Sequence, residues 1–287
     1  MALRLALVLA GGGVAGVAWE TGFLLGVQDQ APAAARRLLD AELLLGTSAG
    51  STVAAQVSSG AGLADLYERQ LAPNSHEIEP GIEIDDLMAL FERAVAGSGQ
   101  SSAERLRAVG QQAVATETVT EDVRRAVIAA RLPSQAWPDR RLVVTAIDVE
   151  TGERVLLDRE SGAALVDAVA ASCAVPGVWP PVTIGARRFM DGGVGSTANV
   201  DAVTDVDAVV LLAPSQEPGA ALFGRSLADE LADFAGPSLA VFADDASIAA
   251  FGPNVLSPAS RAPSATAGRE QGRRQAAEVA AFLGTLA

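Results

Sequence analysis

Leu43-Leu44-Leu45-Gly46-Thr47-Ser48-Ala49-Gly50-Ser51-Thr52-Val53-Ala54-Ala55 reads as a short apolar strand, a tight turn and the start of a helix of small residues. The turn fits G-x-S-x-G, the nucleophile elbow in which a serine hydroxyl is lifted out of the backbone between strand and helix. A blander reading competes with it. Small residues at such a turn also let a helix pack close to a strand, and the chain holds 28 glycines. In the α/β-hydrolase plan the serine is followed by an acid and then by a histidine. The single histidine here, His76, follows Ser48 too soon, within the polar stretch Asn74-Ser75-His76-Glu77. No acid and domain core fit between them, so a serine working at this turn needs a base other than imidazole.

Upstream, Leu5–Ala10 is expected to form a buried strand that runs into Gly11-Gly12-Gly13-Val14-Ala15-Gly16 and a helix over about 17–28. The N-terminus has the apolar length of a signal h-region but no basic n-region and no A-x-A-like cleavage site, which favours a strand. The glycine loop admits two uses. It matches the G-x-G-x-x-G dinucleotide fingerprint of a Rossmann-type oxidoreductase, which also needs an acid about 20 residues on for the ribose. Asp29, Asp40 and Glu42 are poorly placed for that. Alternatively, its exposed N–H groups at a helix start form an oxyanion hole.

Downstream, helices are expected from Gly62 to about Arg131, punctuated at Pro73, Pro80 and Gly97-Ser98-Gly99, with Thr120 as an N-cap before Glu121 and Asp122. Strands follow at Leu142–Ile147 and Arg154–Leu157, then a helix of small residues over Ala163–Ala171 and a hairpin over Val182–Met190 that turns near Gly185. Ala208–Leu212 is a further apolar strand, and the tail is expected to hold helices at about Ala221–Phe234 and Ala267–Leu283. Short apolar strands alternating with helices predict α/β layers around a largely parallel sheet. No clean linker divides the chain, so one domain over 1–287 is expected.

Two acids end strands and are candidate bases. Asp191-Gly192-Gly193 follows Arg188-Phe189-Met190 and puts a carboxylate at a tight turn; Asp148 follows Ala146-Ile147 without glycines. An ordinary Asp-Gly turn is the bland alternative for Asp191. Aromatic residues Trp19, Phe91, Trp179 and Phe189 are expected in the core rather than in an acyl pocket. Arg187-Arg188 is expected at a solvated hairpin edge, and Cys173 as an inert small hydrophobe.

Composition narrows the function classes. The formal charge of −14 disfavours nucleic acid and electrostatic docking on anionic lipid. All 21 residues counted as Lys or Arg are arginine, which reads as codon bias rather than function. The acidic stretch from Glu77 to Glu92 lacks EF-hand spacing and reads as a solvated face, so no metal is expected. One cysteine excludes an intrachain disulfide and suits a reducing cytoplasm.

Taken in order, the glycine loop Gly11–Gly16, the serine turn at Ser48 and the aspartate turn at Asp191 resemble the patatin-like phospholipases. Ala171-Ser172-Cys173-Ala174-Val175-Pro176 is similar to that family's A-S-x-A-x-P segment, and Asn199 stands where the family carries an asparagine. The resemblance covers about 5–215 and leaves 216–287 as a helical and loop extension. It implies a three-layer α/β/α fold and lipid acyl-ester hydrolysis of phospholipase A or lysophospholipase type. In that reading Ser48 and Asp191 form the catalytic dyad, and Gly46, Thr47, Ala49 and Gly50 shape the elbow. Gly192 and Gly193 form the aspartate turn, and Gly11, Gly12, Gly13, Val14 and Gly16, above all the middle three, form the oxyanion hole. No cofactor is implied; the partners are a lipid or other acyl ester and transient contact with a membrane surface. One position departs: Ala15 stands where many members carry Arg or Lys, which weakens the phospholipid assignment more than the hydrolase one. A non-phospholipid carboxylesterase on the same dyad is the alternative.

Overall fold

The computed structural model describes residues 3–96, 99, 101–216, 223 and 225–286. Among these, eight strands join one sheet: β1 (Leu5–Leu9), β2 (Leu43–Thr47), β3 (Arg141–Asp148), β4 (Arg154–Leu157), β5 (Val182–Ile184), β6 (Arg187–Asp191), β7 (Ala208–Ala213) and β8 (Ser238–Phe242). Their order is β5-β6-β3-β2-β1-β7-β8, with β4 also paired to β3. The five strands from β3 to β8 run parallel, while β4, β5 and β6 make an antiparallel margin.

Helices α1 (Gly13–Gln30), α2 (Pro32–Leu39), α3 (Ala49–Val57), α4 (Leu63–Leu71), α5 (Ile84–Val95), α6 (Ser102–Ala115), α7 (Glu121–Arg131), α8 (Leu165–Ser172), α9 (Leu227–Asp233), α10 (Asp245–Phe251) and α11 (Arg261–Gly284) flank it. Leu5, Leu7 and Leu9 of β1 face the thick layer built on α1, α3, α8 and α11. Ala6 and Val8 face a thinner layer in which Val200, Ala202 and Leu227 cover the sheet. Burial on both faces is why these central strands read as unbroken apolar runs instead of alternating ones. β1 lies between β2 and β7, so the signal-like N-terminus is a central strand.

Several expectations need correction. α1 starts at Gly13, so the last four residues of the glycine loop are its first turn. The tail is more than helix and loop, because Ser238–Phe242 pairs with β7 and extends the sheet. That strand carries only five residues and is partly exposed, a weak pattern by sequence. α2 and α10 also went unread, and the helix expected over 221–234 shortens to Leu227–Asp233. Residues 221, 222 and 224 of that expectation, and Gly97 and Ser98, lie outside the described residues. Thr120 caps α7 as expected, its hydroxyl accepting the Val123 N–H. No helix among the described residues is long and apolar enough to cross a membrane.

The long helices α1 and α11 cross on glycine. A Cβ added at Gly22 would sit 2.2 Å from the Ala265 carbonyl oxygen, and one at Gly268 would sit 2.3 Å from that of Trp19. Trp19 then reaches across, its indole N–H donating to Ser247 Oγ at 3.0 Å and Gln271 Oε1 at 3.1 Å. Its place is the core. Gly22→Ala should therefore destabilise the fold by about 1–3 kcal/mol through overpacking. In an open helix interior the same change would stabilise by about 1 kcal/mol. A urea midpoint measured for both proteins decides the sign.

Candidate active site

Because β1 and β2 are parallel neighbours, the glycine loop and Ser48 leave the sheet at the same C-terminal edge, where open α/β sheets bind ligands. Register does the rest. Thr47 lies opposite Thr145 on β3, and Ala146 lies opposite Asp191 on β6. The residue after Thr47 thus meets the last residue of β6: Ser48 Oγ donates to Asp191 Oδ2 at 2.7 Å. Both side chains are buried.

Ser48 is held in a conformation its side chain disfavours, with φ 51° and ψ −115°, which costs on the order of 1–3 kcal/mol. Neighbouring groups fix it there. Its N–H donates to Ser172 Oγ at 2.8 Å, and its carbonyl accepts from Ser51 Oγ at 2.6 Å and from the Cys173 thiol at 3.2 Å. Gly50 is obligatory, since a Cβ there would stand 1.9 Å from the Leu9 carbonyl oxygen. Beneath the turn, Thr47 Oγ1 and Thr145 Oγ1 are 2.8 Å apart, and Asn199 Nδ2 donates to Thr47 Oγ1 at 3.1 Å and to the Ser196 carbonyl at 2.7 Å. Burial pushes the Cys173 thiol pKa up, so it stays a protonated donor. Ser172 and Thr145 were not singled out as support for the turn. The signal for Thr145 was a hydroxyl inside an otherwise apolar strand.

Asp191 takes two hydrogen bonds, from Ser48 on Oδ2 and from the Gly193 N–H on Oδ1 at 2.7 Å. Its pKa is nevertheless pushed up to about 7: burial outweighs those bonds and the Arg124 charge. The rival acid is committed elsewhere. Asp148 accepts the N–H groups of Glu150 and Thr151 and pairs with Arg187 Nε at 2.6 Å. Burial would raise its pKa, yet the Thr151 and Arg187 bonds keep it below the usual value. His76 bonds neither Ser48 nor Asp191; it lines a separate cavity of about 260 Å³ with Glu77 and Arg131.

A helix leaves its first four N–H groups without intrahelical partners. For α1 these belong to Gly12, Gly13, Val14 and Ala15, and Ala15 donates to the Val255 carbonyl at 3.0 Å. The remaining three have no acceptor among the described residues, and Gly13, Val14, Ser48 and Ala49 line one small cavity of about 20 Å³, room for about one water. Gly11 and Gly16 do not share this freedom. Their N–H groups are taken by the carbonyls of Thr197 at 2.7 Å and Gly12 at 2.8 Å, which narrows the expected donor set to three.

The dinucleotide reading finds no acid for a ribose. β2 ends in Thr47, Asp29 pairs with Arg269 and Arg273, and Glu42 takes the Leu5 N–H. Among the described residues no cluster of His, Cys, Asp or Glu could hold a metal ion. The sequence model of the family described as Patatin-like phospholipase matches residues 7–204. The chain belongs to the patatin-like phospholipase family.

Membership makes it a lipid acyl-ester hydrolase. Ser48, Asp191, Asn199 and the free N–H groups of α1 all fall within the matched span, whereas α11 lies beyond it. Comparison with curated proteins finds no match. Among solved structures, the chain is similar to VipD from Legionella pneumophila at 12% identity and TM-score 0.47, covering 96% of this chain and 67% of that one. It is also similar to the type III effector protein ExoU at 13% identity and TM-score 0.42, covering 96% of this chain and 53% of that one. The patatin-like chain thus spans two thirds of the first and about half of the second.

Removing the Ser172 hydroxyl leaves the Ser48 N–H buried and unpaired beside a strained turn. Ser172→Ala should lower unfolding free energy by about 1–3 kcal/mol, read as a lowered denaturant midpoint with an unchanged slope.

Proposed function

We propose that Ser48 and Asp191 form a two-residue acyl-transfer catalyst on lipid esters, of phospholipase A or lysophospholipase type. The observation that carries the reading is the 2.7 Å hydrogen bond from the serine hydroxyl to a buried carboxylate whose pKa sits at about 7. A base must be within hydrogen-bond reach and titrate near the working pH, and this one meets both conditions without an imidazole.

The Ser48 proton passes to Asp191 Oδ2 as Oγ bonds to the ester carbonyl carbon, and the carbonyl electrons move onto oxygen. The N–H groups of Gly12, Gly13 and Val14 receive that oxyanion. When the intermediate collapses, the carbon–alkoxide bond breaks and Asp191 returns its proton to the leaving alcohol. Water then attacks the acyl-serine, gives one proton to Asp191 and retains the acyl group as a free acid; the proton goes back to Ser48 Oγ. Losing one oxyanion donor typically costs about 2.7–4 kcal/mol of barrier, so the loop matters as well as the nucleophile. No bond is required from Gly11 or Gly16. The lone buried thiol and the absence of disulfide chemistry support placement in a reducing cytoplasm, with transient contact at a lipid surface during turnover.

Ser48→Ala and Asp191→Asn should each lower kcat on an acyl ester by at least about 10³-fold while remaining folded, and a fluorophosphonate should label native protein at Ser48 and leave Ser48→Ala unlabelled. Full turnover by folded Ser48→Ala sinks the assignment. His76→Ala should stay within about twofold of the native rate, as expected for a group outside the proton path.

The pH dependence has a definite sign. Asp191 must be ionised to accept a proton, so kcat/KM should fall as pH drops below about 7. Stability moves the other way: the native state holds this proton more tightly than the unfolded chain, so native stability should decline as pH rises from 3.8 to about 7. Asp191→Asn should flatten that decline in paired pH-series melts.

A further inference from the structure

α7 turns two arginines inward, Arg124 and Arg131, along with Val127 and Ile128. Arg131 is ion-paired, with Nε and Nη2 each 2.7 Å from the Glu77 carboxylate. Arg124 is not. It is 3% exposed, its guanidinium makes no hydrogen bond to any described residue, and Nε and Nη1 are sealed from solvent. Its one close companion is Trp179, with the guanidinium carbon 4.0 Å from the ring centroid. A buried cation loses more hydration than a single cation–π contact returns. The side chain is therefore held in place at a cost to folding, and it lines the cavity of Ser48, Gly13 and Val14.

The charges around it do not cancel. Glu77 is ion-paired with Arg131, and Asp191, hydrogen-bonded by the neutral Ser48 and Gly193 donors, is the one carboxylate left to Arg124, Arg69 and Arg261 together. Val14 and Arg131 also line the adjoining cavity of about 260 Å³, to which Arg69 and Arg261 contribute two more cations. Those two reach only backbone carbonyls there, Arg69 those of Ala130 and Arg131, and Arg261 those of Ala72 and Arg69. In a chain of formal charge −14, the two adjoining cavities together carry four arginines, Arg124 and Arg131 beside Ser48 and Arg69 and Arg261 further out, against the carboxylates of Glu77 and Asp191.

We propose that Arg124 is the recognition residue for a phosphate group carried by the ester substrate close to the bond that Ser48 cleaves. The guanidinium fork matches phosphate oxygens, and the surplus of positive charge suits a dianion better than a carboxylate. The proposal rests on the Ser48 acyl-transfer reading for its substrate, but the anion site itself can be tested without turnover.

The test compares a 1-acylglycerol 3-phosphate with the uncharged monoacylglycerol of the same acyl chain. Native protein should prefer the phosphate ester in kcat/KM by at least about tenfold, and, compared at a pH well above the Asp191 titration in both proteins, Arg124→Gln should lose about 10- to 100-fold more on that ester than on the monoacylglycerol. Arg124→Lys, which keeps a point charge without the fork, should retain an intermediate preference; it carries the comparison if Arg124→Gln does not fold. Equal losses on both esters, or no native preference, would overturn the proposal. In parallel, octyl phosphate should raise the melting temperature of Ser48→Ala protein but not that of Ser48→Ala with Arg124→Lys to the same extent, while octanol should act alike on both. An Arg124-dependent shift with no turnover of either ester rejects the hydrolase reading and keeps the anion site. If no shift occurs, or if inorganic phosphate matches octyl phosphate in affinity, the group recognised is not a substrate phosphate.

Discussion

Everything at this site depends on the register between β2, β3 and β6. Thr47 must face Thr145, and Ala146 must face Asp191, for the hydroxyl of the next residue, Ser48, to reach a carboxylate oxygen. A slip of one residue would turn every side chain of a strand to the opposite face. The register is secured from both sides of the sheet, because alternate residues of β1, β2 and β3 are buried in different cores. It is secured locally as well. The paired threonine hydroxyls and Asn199 form a closed polar network beneath the elbow, with every contact buried. A fully satisfied buried network of this kind specifies one arrangement and penalises the others.

The same burial sets the chemistry. A carboxylate in a dry, helix-covered sheet would ordinarily be protonated at neutral pH, and a carboxylate saturated with donors would be too weak a base. Asp191 lies between these limits: burial raises its pKa, while Ser48 and Gly193 hold it back. Asp148 shows the other outcome on the neighbouring strand. It is also buried, yet two backbone donors and an arginine stabilise its charge and leave it only a turn to hold. The two acids that strand ends made equivalent by sequence are separated by their partners.

That contrast marks how far the residues could be read. Elements with a strong local signature were legible: the apolar runs of β1, β2 and β7, the Gly-flanked turns, and the Thr120 cap. β8 was not, because an edge strand of five residues, only one of them fully buried, has no periodicity to announce it. The boundaries of α1 were missed since a helix can begin inside a glycine loop when its first N–H groups are wanted free. Gly12, Gly13 and Val14 were favoured over Gly11 and Gly16 as donors by sequence, and the Thr197 and Gly12 carbonyls supply the physical reason, since they occupy the Gly11 and Gly16 N–H groups. Arg124 was invisible for the opposite reason. On an amphipathic helix bearing Arg124, Arg125 and Arg131, nothing local says which guanidinium turns inward; Arg125 reaches Asp167 on the exposed side.

With Ala15 in the glycine loop, the cations that line the Ser48 cavity come from α7. Ala15 is fully buried in the first turn of α1, and its N–H is already taken by Val255. Gly12 and Gly16 lie close against Pro214, where an added Cβ would stand 2.3 Å and 3.0 Å from the proline ring. From α7, Arg124 lies with its guanidinium over the Trp179 ring and lines the Ser48 cavity. Gly13 and Val14 of α1 and Arg124 of α7 line the same small cavity. On the proposed reading, these two sets of donors would hold different oxygens of one molecule, the carbonyl that becomes an oxyanion and a second group that is charged from the start.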